Sequence, residues 1–353
     1  MKTSGARRNH ARAHSSRDHS IADIAQAARV SVSTVSRILN NKPDVSTDTR
    51  QRVLAVIQRM GYFPHPHARR LASGTSDAIA LVYPMRGPAD YILLDFILAA
   101  SAVAEEQRFF FNLVTRSLTK EDLKSIYKSR HADGVILMEV CLRDWRVDFL
   151  GREGLPFVMI GRTTECDRLS FVDPDFHAAV TTVMDHLTGL GHRTIGYLQH
   201  PQARMEEGYG PAVRQAESYS RYVGDRGLPR LIRETDFSHT ESYRATRELL
   251  EANPEMTAVL SPSGDGVSGI IEAARHAQRR VPEDLSIVSS SCAERVALSV
   301  LPALSCVHME STTLGSISAQ MLIRMLKDRS YRPEQVLLPP VFVARSTTAR
   351  APQ

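Results

Sequence analysis

The beginning of the chain contains three short stretches whose apolar positions recur at helical spacing. The first begins at Ser20, which with Asp23 has the pattern of a capping box. The second runs from Val32 to Asn40, and the third begins after Ser46 and ends at Gly61. The apolar faces are formed by Ile21, Ile24, Ala25 and Ala28, by Val35, Ile38 and Leu39, and by Val53, Val56, Ile57 and Met60. We expect three amphipathic helices around one small core.

The second stretch has the features of a recognition helix. Two short helices separated by a few residues and supported by a third are the minimum for a helix-turn-helix. Ser33 and Thr34 stand at the start of the second helix, where small side chains allow close approach to a major groove. Arg37 follows one turn later and can bind O6 and N7 of guanine with two hydrogen bonds. A plain three-helix bundle would give the same pattern, so the pattern alone leaves both interpretations open.

From Ala78 onward, short apolar runs alternate with amphipathic stretches of helical length. The runs predict strands at Ala78 to Tyr83, Phe109 to Val114, Gly134 to Met138, Phe157 to Ile160, Thr194 to Leu198, Ala258 to Leu260, Leu285 to Val288 and Leu304 to Val307. Helices are predicted between them, for example from His177 to Gly189 and from Val267 to Gln278. This alternation is typical of parallel sheets with crossover helices. Because the strands are too many for one small sheet, we expect an α/β core of two lobes with a cleft.

Charge is distributed unevenly between these two parts. Residues 1–75 contain 13 Lys and Arg and 4 Asp and Glu, a net charge of +9, whereas the remainder contains 31 and 35, a net charge of −4. A cationic module in front of a mildly acidic body favours a polyanionic partner for the module. Residues 1–19 are rich in Arg, His and Ser and lack periodicity, so we predict a disordered basic arm there.

The rest of the composition disfavours several other classes of protein. The longest apolar run, Tyr91 to Ala104, is interrupted by Asp95 and is too short to span a bilayer, so no membrane partner is expected. The basic N-terminus is not followed by an apolar stretch, which disfavours a secretory signal. The 4 cysteines are scattered, which fits a reducing cytoplasm, and the 13 histidines show no metal-site spacing. We expect no enzyme, no cofactor and no metal.

The residues of the predicted helices also resemble a known family. The segments that resemble the DNA-binding headpiece of the lac repressor/galactose repressor (LacI-type) family are Ile21 to Ala25, Val30 to Arg37, Asn40, Val45-Ser46, Thr49-Arg50 and Gly61-Tyr62. Arg29 is a departure, because the family usually has glycine in this turn. A non-glycine residue in a left-handed conformation costs about 1 kcal/mol, so we expect a slightly altered turn.

The body resembles the periplasmic-binding-protein-like core of the same family. The matching segments are Asp133 to Ile136, Pro156 to Arg162, Val172 to Asp175, His186 to Arg193 and Val281 to Ser286. The resemblance extends from about Ser20 to Thr348. It implies a headpiece at 20–63, a hinge helix and linker at 64–77, and a two-lobed effector-binding and dimerisation core at 78–348. The basic arm at 1–19 and a tail at 349–353 lie outside it.

The resemblance implies which residues contact DNA. Base edges would be read by Val32, Ser33 and Arg37. Phosphates would be held by Thr34, Asn40, Ser46 and Thr49. Helix capping alone is the alternative role for Thr34 and Ser46. In the hinge, Leu71 would enter the minor groove as an apolar wedge, and Arg69 would contact a phosphate.

The resemblance also places a small molecule between the lobes, at the carboxyl ends of the parallel strands. The residues assigned to this effector are Arg214, Phe237, Ser263 and Ser291, with a surface ion pair as the alternative for Arg214. Other positions around the cleft, such as Met138, Gly161 and Met309, supply few carboxylates. Sugar hydroxyls would remain unpaired there, at about 1–3 kcal/mol for each buried group. We therefore expect a less polar or anionic effector, or none, rather than a simple neutral sugar.

A second motif competes with this assignment. Gly264 to Gly269 fits the dinucleotide-binding pattern G-x-G-x-x-G, follows a predicted strand and begins a helix, and Asp284 lies 20 residues further on. We disfavour a dinucleotide site because Asp284 belongs to a loop before a strand. In the family, moreover, the motif's segment is a loop that faces the cleft.

Together these features predict a sequence-specific DNA-binding transcriptional regulator, with repression favoured. It would bind a near-palindromic double-stranded DNA operator as a homodimer and would be modulated by a small-molecule effector in the inter-lobe cleft. The alternatives are a regulator without an effector, a cytoplasmic small-molecule-binding protein and a dinucleotide-binding enzyme.

Overall fold

A computed structural model describes residues 19–39, 44–61, 75–85 and 91–353. The chain separates into two compact units, Met1–Ser76 and Asp77–Gln353. The predictions made for Asn40, Arg69 and Leu71, and for nearly all of the arm and the hinge, lie outside the described residues.

The first unit contains the three predicted helices. They are α1 (Ile21–Ala28), α2 (Val32–Leu39) and α3 (Thr47–Met60). Ser20 and Asp23 form a capping box at the start of α1, and Ser46 caps α3. The side chains of Ile24, Val35 and Val53 meet with no exposed surface, and so join one residue of each helix in a common core. The predicted all-α headpiece is confirmed.

The turn between α1 and α2 keeps a left-handed residue although its side chain is large. Arg29 has φ +53° and ψ +47°, and its backbone N–H donates to the carbonyls of Ala25 and Gln26. These hydrogen bonds end α1 in the way that glycine commonly does. The turn therefore has the left-handed conformation that glycine would adopt here. The Cβ atom of Arg29 makes this conformation sterically unfavourable.

The second unit contains two lobes, each built on a six-stranded sheet. Lobe 1 has the strand order β11-β5-β4-β3-β1-β2, and lobe 2 the order β12-β10-β9-β8-β6-β7. All neighbouring strands are parallel except β10 and β12. The strands of lobe 1 are β1 (Ala78–Val82), β2 (Phe110–Val114), β3 (Gly134–Leu137), β4 (Phe157–Ile160), β5 (Phe171–Pro174) and β11 (Gln335–Leu338). Those of lobe 2 are β6 (Ile195–Gln199), β7 (Leu231–Glu234), β8 (Ala258–Ser261), β9 (Ser286–Cys292), β10 (Ser305–His308) and β12 (Val341–Val343).

Helices cover both faces of each sheet, as parallel strands require. The helices of lobe 1 are α4 (Tyr91–Glu106), α5 (Lys120–Lys128), α6 (Trp145–Glu153) and α13 (Ser311–Lys327). Those of lobe 2 are α7 (Phe176–Gly189), α8 (Gln202–Glu206), α9 (Gly210–Asp225), α10 (His239–Ala252), α11 (Val267–His276) and α12 (Glu294–Ala297). Within the described residues, no helix is long and apolar enough to cross a membrane.

Within the continuous stretch 91–353, the chain crosses between the lobes at 174–176, 308–311 and 338–341. The strands that carry these crossovers end at the same side of their sheets, so the crossovers lie together at the base of the cleft. This is the two-lobed α/β core that the sequence predicted.

Several details differ from the predictions. Strands β5, β7, β11 and β12 were not predicted, because they are short and, apart from β5, only half-buried or exposed. Strand β9 continues to Cys292 instead of ending at Val288. The predicted tail at 349–353 is attached to lobe 2, since Ala351 N–H donates to the carbonyl of Leu190 at 2.9 Å.

Arg29→Gly should stabilise the headpiece. Glycine removes the left-handed strain at this position and keeps the two backbone hydrogen bonds, for a net gain of about 0.5–1 kcal/mol after the added unfolded-state entropy. In the full-length protein, amide hydrogen exchange at Val35 and Ile38 should slow about two- to fivefold. The matched variant Arg59→Gly, inside α3, should speed exchange because it costs about 1 kcal/mol. Faster exchange in Arg29→Gly would contradict the strain at Arg29.

Candidate functional site

The start of α2 presents the side chains that the sequence assigned to base reading. Val32, the first residue of α2, is 46% exposed although it is apolar, and Ser33 and Arg37 are also exposed. Val35 and Ile38 face the core instead. Because of the helical period, the polar side chains of Ser33 and Arg37 and the apolar side chain of Val32 are exposed at the surface of this unit.

The hydroxyl groups assigned to phosphates take part in local capping. Ser31 Oγ accepts a hydrogen bond from the backbone N–H of Thr34 at 3.1 Å and lies 2.8 Å from Thr34 Oγ1. Ser46 Oγ accepts from the N–H of Thr49 at 3.4 Å and donates to Thr49 Oγ1 at 2.9 Å. The capping role weighed for Ser46 is thus present in the structure. A cap bond leaves lone pairs or protons on these hydroxyls for a second partner.

Arg37 is paired with a carboxylate of its own unit. Its guanidinium donates to Asp44, and more than half of the Arg37 side chain remains exposed. An exposed ion pair of this kind contributes little to stability, about 0–1 kcal/mol. The pair orients Arg37 and can exchange for another acceptor at small cost. Asp44 was not predicted as a partner of Arg37.

In the core, Arg214 connects the two lobes. It lies in the first turns of α9 in lobe 2, and its Nη2 donates to the backbone carbonyl of Arg162 in lobe 1 at 2.8 Å. Its Nη1 lies 3.8 Å from Asp173 Oδ2 on β5, and Arg162 Nη1 lies 3.3 Å from the same oxygen. The predicted effector residue therefore forms part of a buried inter-lobe cluster, and the surface ion pair considered for Arg214 is not what the structure contains.

Asp173 is held in this cluster at a high electrostatic cost. Its side chain is 1% exposed, and neither carboxylate oxygen has a hydrogen-bond partner among the residues that the structure describes. Burial raises the pKa of Asp173 to about 7, against the opposing attraction of Arg214 and Arg162. Burial also lowers the pKa of the Arg214 guanidinium. A buried carboxylate with unsatisfied oxygens is a position where a bound group could add hydrogen bonds.

A second inter-lobe cluster surrounds Glu139. This residue follows β3 in lobe 1, and its carboxylate pairs with the guanidinium of Arg204 on α8 of lobe 2. The Arg204 guanidinium also lies over the ring of Tyr209, 3.8 Å from the centroid. Glu139 has φ +56°, a left-handed conformation that is uncommon for a residue with a Cβ atom.

The expectation of a cleft with few carboxylates was wrong. Glu139 and Asp173 both lie there, each ion-paired with an arginine of lobe 2. Glu139 was not predicted, because regular strand alternation gives no sign of the left-handed residue that follows β3. Asp173 was noticed only as part of a family segment, not as a side chain that faces the cleft.

The other three predicted effector residues lie at different parts of the cleft. Phe237 is buried and packs edge-on against His200, with ring centroids 4.6 Å apart. Ser263 donates to Asp265 within its own loop, at 3.0 Å. Ser291 lines a small pocket at the crossovers. A second pocket, of 240 Å³, lies between the lobes and is lined by Asp95, Ala293 to Arg295 and His308 to Thr312.

The glycines of the dinucleotide-like motif serve internal packing. A Cβ atom on Gly264 would collide with the Cys292 sulfur, and one on Gly266 with the Ser242 hydroxyl. One on Gly269 would collide with the backbone carbonyl of His239, where α10 and α11 pack closely. The motif is thus explained by contacts inside lobe 2, with no need for a pyrophosphate. Among the described residues, no cluster of potential ligands could hold a metal ion.

Comparison with known proteins accounts for both units. The model for bacterial regulatory proteins of the lacI family matches residues 20–65, and the model for periplasmic binding protein-like domains matches residues 184–348. Catabolite control protein A of Priestia megaterium is 25% identical over 337 residues, which cover 93% of this chain and 98% of that protein. The ribose operon repressor of Halalkalibacterium halodurans is 28% identical over 336 residues, which cover 93% and 96%.

Solved structures show the same fold. The lac repressor dimer bound to operator and the anti-inducer ONPF superposes with a TM-score of 0.80 at 22% identity, covering 94% of this chain and 100% of that chain. The transcriptional regulator CelR in complex with cellobiose gives a TM-score of 0.69 at 25% identity, covering 93% and 99%. Headpiece, core and relatives together define a DNA-binding transcriptional regulator. The chain carries a lacI-family DNA-binding domain and a periplasmic binding protein-like domain, and relatives along nearly its whole length are transcriptional regulators.

The stability contributed by Asp173 should depend on pH. Its pKa is about 7 in the folded protein and near the ordinary 3.8 in the unfolded chain, so the folded state binds more protons between these values. Wild type should therefore lose about 2 kcal/mol relative to Asp173→Asn as the pH rises from about 5 to 7, and only about 0.4 kcal/mol more above pH 7. Urea unfolding followed by Trp145 fluorescence in lobe 1 measures this difference. A difference that stays constant with pH would show that the two arginines keep the carboxylate ionised throughout.

Proposed function

We propose that this regulator represses transcription by binding a near-palindromic operator as a homodimer, with one α2 in each of two successive major grooves. The observation that carries the proposal is the exposed start of α2, where Val32, Ser33 and Arg37 stand free of the headpiece core. The headpiece spans 20–63, the hinge 64–77 and the core 78–348. A regulator that binds operator DNA works in the cytoplasm, and we place the protein there.

Each headpiece residue has a proposed role that its chemistry fits. Val32 contacts a thymine methyl group, Ser33 approaches a base edge, and Arg37 leaves Asp44 to bind guanine. Hydroxyl groups at Thr34, Ser46 and Thr49 donate to phosphates while the helix caps stay in place. From the family pattern, we assign Asn40 and Arg69 to phosphates and Leu71 to a minor-groove wedge.

Exposed apolar side chains support a homodimer. Leu94 and Leu98 stand one turn apart on α4, and Phe110 lies on β2, the edge strand beside it in lobe 1. In lobe 2, Leu298 and Leu301 are exposed just after α12. The ion pair between Asp95 on α4 and Arg295 on α12 brings the two apolar patches side by side. Neighbouring exposed apolar patches of this kind are typical of an interface between copies of a chain.

We further propose that a small molecule in the inter-lobe cleft changes operator affinity. Relatives whose names or titles include a sugar, such as the ribose operon repressor and the CelR–cellobiose complex, support a small-molecule effector in this fold. In this chain, buried arginine–carboxylate pairs occupy the cleft and supply hydrogen-bond donors and acceptors for a polar effector. The prediction against a neutral sugar, which assumed few carboxylates, therefore no longer holds. Linkage then requires that effector and operator change each other's affinity by the same factor.

Arg37→Ala should selectively weaken binding to a specific site. Operators are first selected from a random duplex library, and affinities are then measured for the selected and a scrambled duplex. Loss of a two-bond guanine contact should cost about 1–3 kcal/mol on the selected duplex and much less on the scrambled one. Arg59→Ala, which removes an exposed arginine from the last turn of α3, controls for charge. Equal losses on both duplexes would rule out base reading by Arg37.

Leu98→Asp should weaken self-association. A carboxylate in the proposed apolar interface would be buried without a partner, so the dimer dissociation constant should rise at least about tenfold, which corresponds to ~1.4 kcal/mol. Sedimentation equilibrium at several protein concentrations measures it. Leu337→Asp is the matched control, because Leu337 is exposed on β11 at the opposite edge of the same sheet. If Leu337→Asp were the more disruptive variant, the interface would lie at the other edge.

A further inference from the structure

Arg204 fills part of the cleft with its own guanidinium group. The residue belongs to lobe 2, yet its side chain reaches Glu139 of lobe 1 and lies flat over Tyr209. Its Nη1 is also 3.0 Å from Glu207. The side chains of Arg204 and Glu139 are only 19% and 16% exposed. The charged ends of two polar residues are therefore enclosed between the lobes, together with an aromatic face.

The surroundings of Arg204 are those of a cation-binding site. A carboxylate supplies the counter-charge, and the face of a tyrosine ring attracts a cation placed over it. His200 packs edge-on against the rings of Tyr209 and Phe237, with centroid distances of 5.7 and 4.6 Å. Burial, with a smaller contribution from Arg204, lowers the pKa of His200 to about 3, so its imidazole is neutral and does not compete for Glu139. The left-handed conformation of Glu139 is a local strain that the fold maintains at this point.

The element that carries Arg204 is weakly attached to the rest of the lobe. Helix α8 has five residues, none of them buried, and its N-cap Pro201 provides no side-chain hydrogen bond. Its backbone is tied to a neighbouring strand where Gln202 N–H donates to Glu234, at 3.1 Å. Elements with few buried contacts open locally at low cost. Met205 of α8 packs partly buried against the core of lobe 2, and the Arg204 side chain fastens α8 across the cleft.

The backbone just beyond α8 is joined to lobe 1 independently of Arg204. Leu142 N–H donates to the carbonyl of Gly208 at 2.7 Å, and Gly210 N–H donates to that of Val140 at 3.1 Å. A Cβ atom on Gly210 would crowd that carbonyl at 3.1 Å. The N–H groups of Gly208 and Tyr209 also donate to the carbonyls of Met205 and Arg204, at 3.0 and 3.1 Å. The attachment of residues 208–210 to lobe 1 nevertheless does not depend on the Arg204 side chain, so Tyr209 remains beside Glu139 when that side chain leaves.

We propose that Glu139 and Tyr209 form a cation subsite in the inter-lobe cleft, that Arg204 is its built-in occupant, and that the effector is a small guanidinium or primary ammonium compound that displaces Arg204. Displacement breaks the ion pair between the lobes and frees α8, which gives the ligand a route to change the lobe arrangement. This inference rests on the effector part of the proposed function. It replaces the anionic effector expected from the sequence, because that expectation assumed a cleft with few carboxylates.

The test removes the guanidinium group of Arg204 by mutation and supplies a small guanidinium compound in its place. In full-length Arg204→Ala, millimolar methylguanidine should raise the Tm saturably, by about 2–3 °C at ten times its Kd. The double variant Arg204→Ala/Glu139→Gln should show no such increase, and neither should an equal concentration of urea. Arg233→Ala, which removes an exposed lobe 2 arginine paired with Glu248, is the matched control. It keeps Arg204 and should show a smaller increase at the same concentration, because the ligand must first displace Arg204. Because Tm is measured without DNA, a negative result would overturn this proposal and leave the proposal of operator binding untouched.

A second measurement uses the wild-type protein, in case Arg204→Ala does not fold. Saturating methylguanidine should speed amide hydrogen exchange in residues 203–206 at least threefold and leave exchange at Leu142 and Gly210 unchanged. If the folded variant gains no Glu139-dependent stability, Arg204 and Glu139 form a structural ion pair and the proposal is wrong. Unchanged exchange in α8 of wild type at a concentration far above the one that saturates Arg204→Ala would also overturn it, since the ligand would not displace the arginine.

Discussion

The headpiece depends on one packing constraint, the contact of Ile24, Val35 and Val53 in a core with no exposed surface. Because Val35 must face this core, the helical period turns Ser33 and Arg37 outward. The hydroxyl of Ser31 caps the turn before them, so the start of α2 is rigid and uncovered at the surface of its unit. A rigid, polar helix start is what reading base edges in a groove requires.

The two lobes of the core contact each other through charged side chains, whereas the headpiece helices contact each other through apolar ones. In three ion pairs between the lobes, lobe 1 supplies the carboxylate and lobe 2 the guanidinium. The pairs are Asp173–Arg214, Glu139–Arg204 and Asp95–Arg295. Buried ion pairs add little net stability compared with apolar packing, but breaking one by removing a partner is costly. Such contacts can therefore hold one arrangement of the lobes and still be re-formed with a ligand, which is the property that an allosteric core needs.

The sequence predicted elements whose signals are local. The capping box of Ser20 and the αL position of Arg29 could both be located from neighbouring residues. The edge strands β7 and β12 could not, because their pairing depends on distant strands rather than on an apolar run. Glu139 was missed for a related reason. The direction of its side chain depends on a positive φ, which the type of residue at this position does not indicate. Asp44 was missed because its role depends on a partner seven positions away across a turn.

A headpiece that reads base edges must distinguish one DNA sequence from another. The most direct measurement is the equilibrium affinity of the full-length protein for two duplexes of equal length and composition at about 150 mM salt. One duplex carries the selected near-palindromic site, and in the other both half-sites are scrambled. We expect the selected duplex to bind at least about a thousandfold more tightly. Equal affinities would mean that phosphate contacts account for all binding, and would contradict base reading by the headpiece.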